Sequence, residues 1–282
     1  MPHIIQVKDL NYIYLPGSPY ERHALKNINF SLEQGEFLGI FGPNGSGKST
    51  LAQHFNGLLL PASGTMSVCG LDTADKKFRC ELWKKVSLVF QYPERQIFQV
   101  TVYDEVAYGP RNLGISEVEV KDRVYGALDQ VGLLPADTVQ LAPCSLSGGM
   151  KRRVAIASLL ALNPEILVLD EPMAGLDLSG RRLIFDIIKK RQERRETAVM
   201  ISHNLKDIIA LADKIAVLDR GCLVFFGTVW ELLESKDILA RFRLELPEYL
   251  QVMYALADKG FEMKANINSI TEAGDEIVRL LT

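Results

Sequence analysis

The residues with the clearest chemical pattern follow a short apolar run. The run is Phe37–Phe41, and residues 42–50 after it read Gly-Pro-Asn-Gly-Ser-Gly-Lys-Ser-Thr. Glycines let the backbone wrap tightly and aim N–H groups at phosphate oxygens, while Lys48 supplies a positive charge and Ser49 a hydroxyl ligand for Mg²⁺. We therefore predict a phosphate-binding loop between a strand and a helix, against the alternative of a Gly-rich turn that binds nothing. The residues predicted to contact the phosphate ligand are Gly42, Asn44, Gly45, Ser46, Gly47, Lys48, Ser49 and Thr50.

Two adjacent acids end a second apolar run. Residues 166–169, Ile-Leu-Val-Leu, begin shortly after Pro164 and lead into Asp170 and Glu171. This pattern is expected of a strand that is buried on both faces and carries polar groups at its carboxyl end. Asp170 would hold the hydration shell of a Mg²⁺ ion, and Glu171, on the other side of the strand end, would polarise an attacking water. The alternative is an ordinary solvated strand end.

A third pattern opens a predicted helix. Residues 146–150 read Leu-Ser-Gly-Gly-Met and continue as Lys-Arg-Arg-Val-Ala-Ile-Ala. Ser147, Gly148 and Gly149 would form an anion site, because glycines allow close backbone approach and a helix N-terminus carries partial positive charge. The pattern resembles the signature motif of ATP-binding-cassette (ABC) ATPases, which usually has glutamine at the position of Met150. The resemblance implies ATP and Mg²⁺ as ligands, and a dimer in which this motif reaches nucleotide held by a second subunit.

Further landmarks of the family occur in the expected order. Gln91, after the strand-like residues 86–90, resembles the glutamine that contacts Mg²⁺ and senses the γ-phosphate, and residues 174–177 resemble the D-loop. His203 resembles the switch histidine. Tyr14 resembles the aromatic residue that stacks on adenine, with a packed strand residue as the alternative. The resemblance thus implies as catalytic residues Lys48, Glu171 and His203, and as metal ligands Ser49, Gln91 and Asp170.

Composition agrees with the cytosolic, soluble ATPase that the resemblance implies. The 282 residues are 48% hydrophobic, and their formal net charge of −3 argues against a general nucleic-acid groove. The four cysteines form no C-x-x-C pair, so we expect reduced thiols in an intracellular compartment. We expect no signal peptide, and no apolar run approaches the roughly 18–20 residues of a transmembrane helix, so a transport role would require separate membrane subunits.

The alternation of predicted strands and helices indicates an α/β fold, and the resemblance implies that this fold is of the P-loop NTPase type in its ABC form. Residues up to about 41 read as a β subdomain that would cradle adenine, and residues 86–90 return the chain to the main sheet. A turn is predicted at Ser63 and Gly64. Residues 166–227 alternate between strands and helices and close with a hairpin.

Two segments lie outside this alternation. Residues 93–164 become helical, with Ser116 and Glu119 as a capping box, and form the predicted helical subdomain. The ABC ATPase domain is accordingly predicted over residues 1–242. Residues 243–282 follow as a small α-rich C-terminal domain.

Two segments narrow the family resemblance. Residues 92–96, Tyr-Pro-Glu-Arg-Gln, resemble the segment after the loop glutamine in ATPases of energy-coupling factor (ECF) transporters, the bacterial and archaeal importers of vitamins and of cobalt or nickel ions. The tail has apolar residues at helical spacing in 246–259 and 269–281 and resembles the C-terminal dimerisation domain of that subfamily. Generic surface helices are the alternative for both segments.

The resemblance implies an ATP hydrolase, peripheral at the cytoplasmic face of the cell membrane, that energises an ECF-type importer. Its implied partners are a second ABC ATPase subunit (a copy or a paralogue), a transmembrane coupling subunit and a substrate-binding membrane subunit, with no nucleic acid. The alternatives are the ATPase of another ABC transporter class, a non-transport ABC ATPase and a non-hydrolysing dimer. The intact Lys48, Glu171 and His203 argue against the last alternative.

Overall fold

A computed structural model describes residues 3–242, 246–263, 267 and 270–281. The strands are β1 His3–Tyr14, β2 Arg22–Glu33, β3 Phe37–Phe41, β4 Ser63–Val68, β5 Leu71–Asp72, β6 Val86–Val89, β7 Ile166–Asp170, β8 Thr197–Ile201, β9 Lys214–Asp219 and β10 Cys222–Thr228. The α-helices are α1 Lys48–Phe55, α2 Lys76–Lys85, α3 Val102–Asn112, α4 Glu117–Gln130, α5 Pro135–Thr138, α6 Gly148–Leu160, α7 Leu178–Glu193, α8 Leu205–Ile209, α9 Val229–Glu234, α10 Lys236–Phe242, α11 Glu248–Asp258 and α12 Ile270–Leu281. Short 3₁₀ helices span Pro93–Gln96 and Pro143–Ser145.

A six-stranded sheet forms the centre of the fold, in the order β10-β9-β3-β8-β7-β6. The strands from β9 to β6 run parallel, and β10 closes the edge as the predicted antiparallel hairpin with β9. Every residue of β3, β7 and β8 is buried, which explains why their sequences are apolar runs. Because the carboxyl ends of parallel strands meet at one edge, the residues that follow β3, β6, β7 and β8 converge there.

A smaller antiparallel sheet, in the order β2-β1-β4-β5, shares a buried core with one face of the main sheet. Leu38 and Val168 from the main sheet meet Ile5 and Leu25 from the smaller sheet in this core. The other face of the main sheet packs against helices, with Leu167 in the second core. The main sheet is therefore covered on both faces, as a parallel sheet requires.

The turn predicted at Ser63 and Gly64 is wrong. Both residues belong to β4, which pairs antiparallel with β1. Gly64 has φ +80°, and a Cβ atom there would lie 2.1 Å from the carbonyl oxygen of Asp9. The glycine therefore serves the close approach of two strands at the register shift between Lys8 and Asn11, which sequence alone cannot distinguish from a turn.

The segment 93–164 lies between β6 and β7 in the chain and contains helices α3 to α6 and both 3₁₀ helices. Helices α3, α4 and α6 pack around apolar residues that include Val106 and Val124. Ser116 caps α4, because its Oγ accepts a hydrogen bond from the backbone N–H of Glu119 at 3.3 Å. The segment carries the signature residues at the N-terminus of α6.

The C-terminal helices α11 and α12 lie against α9. Leu250 of α11 is buried in the helix-covered core, and the Tyr254 hydroxyl donates a hydrogen bond to the carbonyl oxygen of Leu233 in α9. The predicted domain boundary falls at residue 243, which lies outside the described residues, as does residue 269, the predicted start of the last helix. Among the helices that the structure describes, none combines the length and the apolar character needed to span a membrane.

Candidate functional site

The loop between β3 and α1 has a backbone that glycine adopts most easily. Gly42, Gly45 and Gly47 have φ values of +154°, +77° and +107°. A Cβ atom at Gly42 would lie 2.2 Å from the carbonyl oxygen of Leu218, and one at Gly47 would lie 2.6 Å from that of Ala24. The loop is therefore wrapped tightly against β9 and β2 and leads directly into α1. This is the cradle that a phosphate-binding loop requires.

Lys48 is 7% exposed, and its ammonium group folds back onto the loop. Nζ donates hydrogen bonds to the carbonyl oxygens of Gly42 at 2.8 Å and Pro43 at 3.0 Å. Burial lowers the pKa of Lys48, and the negative charges of Glu171 and Asp170 oppose this shift without cancelling it. A phosphate anion would complete the charge compensation of this buried ammonium.

Asp170 lies at the end of β7, and its side chain lines the same cavity as Ser49. Burial raises the pKa of Asp170; the Ser49 hydrogen bond and the charge of Lys48 lower it, whereas the charge of Glu171 raises it further. A hydroxyl, a carboxylate and the amide of Gln91 line the same cavity. These are hard oxygen ligands, so the donor set fits a Mg²⁺ ion that keeps several of its waters.

Glu171 follows Asp170 but leaves the strand. Its φ of +51° is a left-handed conformation that costs a non-glycine residue on the order of 1 kcal/mol. Strand alternation predicts that the two neighbouring side chains point to opposite sides, and this prediction is wrong, because the backbone turns at Glu171 and both carboxylates line one cavity. The N–H of Glu171 donates to the carbonyl oxygen of Ile201 at 3.0 Å and anchors the turn on β8.

His203 is hydrogen-bonded to Glu171. Its Nδ1 lies 2.8 Å from Oε2 of Glu171, and the side chains are 66% and 12% exposed, respectively. An ionised carboxylate can only accept, so Nδ1 is the donor. His203 therefore holds the carboxylate of Glu171 from the solvent side.

One cavity of about 410 Å³ collects most of the predicted site residues at the edge where the strands converge. The predicted residues that line it are Tyr14, Asn44, Gly45, Gly47, Lys48, Ser49, Thr50, Gln91, Asp170, Glu171 and His203. Gly42 and Ser46 lie beneath this surface. Ser46 is 2% exposed, and its Oγ has no hydrogen-bond partner within the described ranges.

Arg22 and Ala24 also line the cavity, and sequence reasoning missed both. Arg22 is the cross-strand partner of Tyr14 in β1 and β2, and its Nη2 donates to the carbonyl oxygen of Gly45 at 3.0 Å. Neither residue belongs to a local motif. The hairpin register, which places Arg22 opposite Tyr14, is the signal that could have found the arginine.

Tyr14, rather than Tyr12, presents its ring at the cavity. The Tyr14 hydroxyl lies 3.2 Å from Oγ1 of Thr50. The Tyr12 ring packs edge-on against the rings of His54 and Tyr14, with centroid distances of 4.9 and 4.8 Å. Tyr12 therefore packs against neighbouring rings in its strand region, and the stacking of Tyr14 on adenine stays a prediction.

The signature residues lie outside this cavity, at the start of α6. Ser147 caps the helix, with its Oγ 3.3 Å from the backbone nitrogen of Met150. A Cβ atom at Gly148 or Gly149 would meet nothing within 4 Å among the described residues, so packing in their own chain does not require these glycines. Ser147 and Gly149 instead border a second cavity of about 490 Å³ that residues 175–177 also line.

The fold and the site together define an ABC-type P-loop ATPase, and comparisons with known proteins agree. Residues 25–174 match the protein family described as ABC transporter. The chain is 44% identical to the energy-coupling factor transporter ATP-binding protein EcfA2 of Caldanaerobacter subterraneus subsp. tengcongensis, over 98% of this chain and 97% of that protein. It is 42% identical to EcfA2 of Clostridium perfringens, over 98% of both chains.

Solved structures give the same result. The structure of cbiO1 from Clostridium perfringens, described as part of the ABC transporter complex cbiONQ, has a TM-score of 0.73 and 33% identity, covering 90% of this chain and 100% of that one. The ATP-binding cassette MJ0796, a dimer in a post-hydrolysis state bound to ADP and Pi, has a TM-score of 0.70 and 29% identity, covering 80% of this chain and 98% of that one. The chain belongs to the ABC transporter ATPases and, within them, to the ATP-binding proteins of energy-coupling factor transporters.

Proposed function

We propose that this ATPase is the energising subunit of an ECF-type importer for vitamins or transition-metal ions, with Glu171 as the base that activates water. The observation that carries the proposal is the 2.8 Å pair of Glu171 and His203 in one cavity with Lys48. A base, a residue that orients it and a buried cation for phosphate are the parts that phosphoryl transfer to water needs.

Each side chain at the cavity has a role that follows from its contacts. Lys48 would exchange its loop carbonyl partners for phosphate oxygens, and the Glu171 carboxylate would accept the proton of the attacking water. Ser49, Gln91 and Asp170 would hold Mg²⁺, which when bound neutralises charge on the phosphates. Little covalent chemistry falls to the protein, because positioning and charge stabilisation carry most of this reaction.

The signature residues are proposed to act on nucleotide held by a second ATPase subunit, either a copy or a paralogue. The open surroundings of Gly148 and Gly149 support this role, because close approach from outside the chain explains glycine where its own contacts do not. The dimeric state of the similar MJ0796 cassette is consistent with such a pair. Closure of the pair would complete two composite sites.

The C-terminal segment, residues 243–282, is proposed to hold the two subunits together while their nucleotide sites open. Helix α11 packs on its own chain through Leu250, yet Val252 is 48% exposed and Ile270 of α12 is 75% exposed. Apolar side chains on the outer faces of both helices support contact with a second copy. Tethering would raise the effective concentration of one ATPase domain for the other.

Membrane partners are proposed to contact the helical subdomain. The segment after Gln91 exposes Phe98 and Val100 by 64% and 78%, next to Tyr108 at 47%. Exposed apolar side chains grouped in one segment favour a protein contact. The partners would be a transmembrane coupling subunit and a substrate-binding membrane subunit, which place this chain at the cytoplasmic face of the membrane and leave cargo choice to another polypeptide.

Other functions fit less well. An ATPase of another ABC transporter class would keep the same chemistry, but the relatives found over nearly the full length are named as ECF proteins. A non-transport ABC ATPase of DNA repair or translation would need a long coiled-coil insertion or two ATPase domains in one chain. A net charge of −3 also disfavours a nucleic-acid partner.

Replacement of Glu171 by Gln tests the chemical part of the proposal. The change keeps the shape of the side chain and removes its basicity, so kcat should fall on the order of 10³-fold while ATP binding persists. Near-normal turnover by the folded variant would exclude Glu171 as the base.

Co-purification of the tagged full chain from gently solubilised membranes tests the transport part of the proposal. A coupling subunit and a small substrate-binding membrane protein are expected to co-purify, and their absence would refute the transport role.

A further inference from the structure

Arg152 on α6 is a buried cation that does not line the nucleotide cavity. Its side chain is 6% exposed. Burial lowers the pKa of Arg152, and the nearby Glu94 and Tyr92 oppose this shift. Burying a guanidinium costs free energy unless its N–H groups donate hydrogen bonds. The acceptors of these hydrogen bonds therefore identify the part of the structure that Arg152 stabilises.

All the acceptors of Arg152 belong to one turn. Nη1 donates to the carbonyl oxygen of Ala174 at 2.8 Å, and Nη2 donates to that of Pro172 at 2.7 Å and, more weakly, to that of Glu171 at 3.5 Å. The planar guanidinium presents these donors in a fixed geometry, which a lysine ammonium cannot reproduce. A single side chain of α6 therefore fastens the turn that begins with the left-handed residue Glu171.

The direction of the Glu171 carboxylate depends on this turn. The N–H of Glu171 is held by Ile201 of β8, and the Ala174 N–H closes the turn on the Glu171 carbonyl at 3.2 Å. These backbone bonds fix the start and the closure of the turn but leave the carbonyls of Pro172 and Ala174 to Arg152. Without the guanidinium, the left-handed backbone at Glu171 would lose its support on the α6 side.

We infer that Arg152 is a positioning residue for ATP hydrolysis: it holds the carbonyl groups of residues 171–174 and thereby keeps the Glu171 carboxylate aimed into the nucleotide cavity. The inference rests on the proposed role of Glu171 as the base. Because α6 begins at the signature residues, Arg152 also links the position of Ser147 to the direction of the base in the same subunit. A shift of α6 on dimer closure would thus reach Glu171 through one side chain.

The chain offers a matched control for loss of a buried arginine. Arg191 is also 6% exposed, donates to the carbonyl oxygen of Pro164 at 2.8 Å and pairs with Glu196 at 3.0 Å. Pro164 precedes β7, at the end opposite Asp170, so Arg191 supports the fold far from the nucleotide cavity. Variants of the two arginines should cost similar stability and differ in catalysis.

The test compares Arg152→Gln and Arg152→Lys with Arg191→Gln in the full-length chain, purified with the subunits that stay bound to it. Arg152→Gln is expected to lower kcat on the order of 10- to 100-fold, because small misplacements of a catalytic group have effects of this size, with KM for ATP changed less than about twofold. Arg152→Lys should recover part of kcat. Arg191→Gln should lower the melting temperature comparably and leave kcat within about twofold.

The inference is overturned if folded Arg152→Gln has wild-type kcat, or if the Arg191 variant loses kcat to the same extent. If Arg152→Gln fails to fold, the kcat of Arg152→Lys decides by the same criteria. Single-turnover hydrolysis in a Glu171→Gln background adds a second criterion. Because both changes act on the same carboxyl group, Arg152→Gln should lower the hydrolysis rate of this background only slightly. A full additional loss of rate would contradict a role of Arg152 through Glu171. An active Glu171→Gln variant would instead refute the proposed base itself.

Discussion

The pair of His203 and Glu171 allows the proposed chemistry to be tested with little risk to the fold. His203 is 66% exposed, so replacement by Ala should change the free energy of unfolding by no more than about 0.5 kcal/mol. The change removes the N–H that holds Oε2 of Glu171 at 2.8 Å. Loss of an orienting contact to a general base should lower kcat on the order of 10²-fold, or roughly 2.7 kcal/mol in activation free energy.

The assay is steady-state ATP hydrolysis by the full-length chain, with nucleotide affinity and melting temperature measured in parallel. His23→Ala is the matched control, because His23 is another exposed histidine, 54% exposed, that lies 3.2 Å from a glutamate, Glu21. His23→Ala should leave kcat unchanged, whereas His203→Ala should lose kcat with KM nearly constant. A loss of less than about threefold in His203→Ala, or an equal loss in both variants, would refute the reasoning.

Two further predictions concern Asp170 and the C-terminal helices. Burial raises the pKa of Asp170 in the folded state above its unfolded value, so stability is lost as the pH rises from the unfolded pKa to the folded pKa, and the cost of the ionised carboxylate is complete above the folded pKa. Asp170→Asn should therefore melt at a higher temperature than wild type at pH 7, and this difference in melting temperature should shrink at acidic pH. The variant should also lose Mg²⁺-dependent hydrolysis. A melting temperature below that of wild type at pH 7 contradicts this account. In analytical ultracentrifugation without nucleotide, Ile270→Glu should shift the protein toward monomer, and its melting temperature should be unchanged. Leu250→Ala, at a buried position, should instead lower the free energy of unfolding by about 2–5 kcal/mol. Wild-type sedimentation of Ile270→Glu would mean that the tail only covers its own chain.

Sequence alone predicted the parts of the site that depend on local chemistry. The phosphate loop follows from glycines at backbone positions with positive φ, and Asp170 follows from the end of a buried apolar run. Both patterns are contiguous in the chain, and a parallel sheet must bring such strand ends to one edge. His203 and Gln91 were placed by their order in a known family, and the structure brings both to the same cavity.

The remaining features depend on contacts that no local pattern encodes. Arg22 reaches the cavity through a hairpin register, and Arg152 reaches the turn after β7 because α6 packs beside it. The direction of Glu171 reverses the strand alternation through one left-handed residue. Gly64, predicted as a turn, lies in a strand because Asp9 approaches it closely. For Arg152 and Gly64 the deciding partner is distant in sequence, so tertiary contacts override the local signal.

The electrostatics of the cavity give a physical reason why nucleotide binding would favour the proposed closure. Burial lowers the pKa of Lys48 and raises that of Asp170. The charged forms of both side chains are therefore disfavoured by burial, and their mutual attraction does not remove this cost. A phosphate anion beside Lys48 and a divalent cation beside Asp170 would relieve both costs together. In the proposed function, the free energy released would then be available to draw the signature residues of a second subunit onto the nucleotide. The carboxylate of Glu171, held by His203 and by the turn on Arg152, already lines the cavity that such closure would cover.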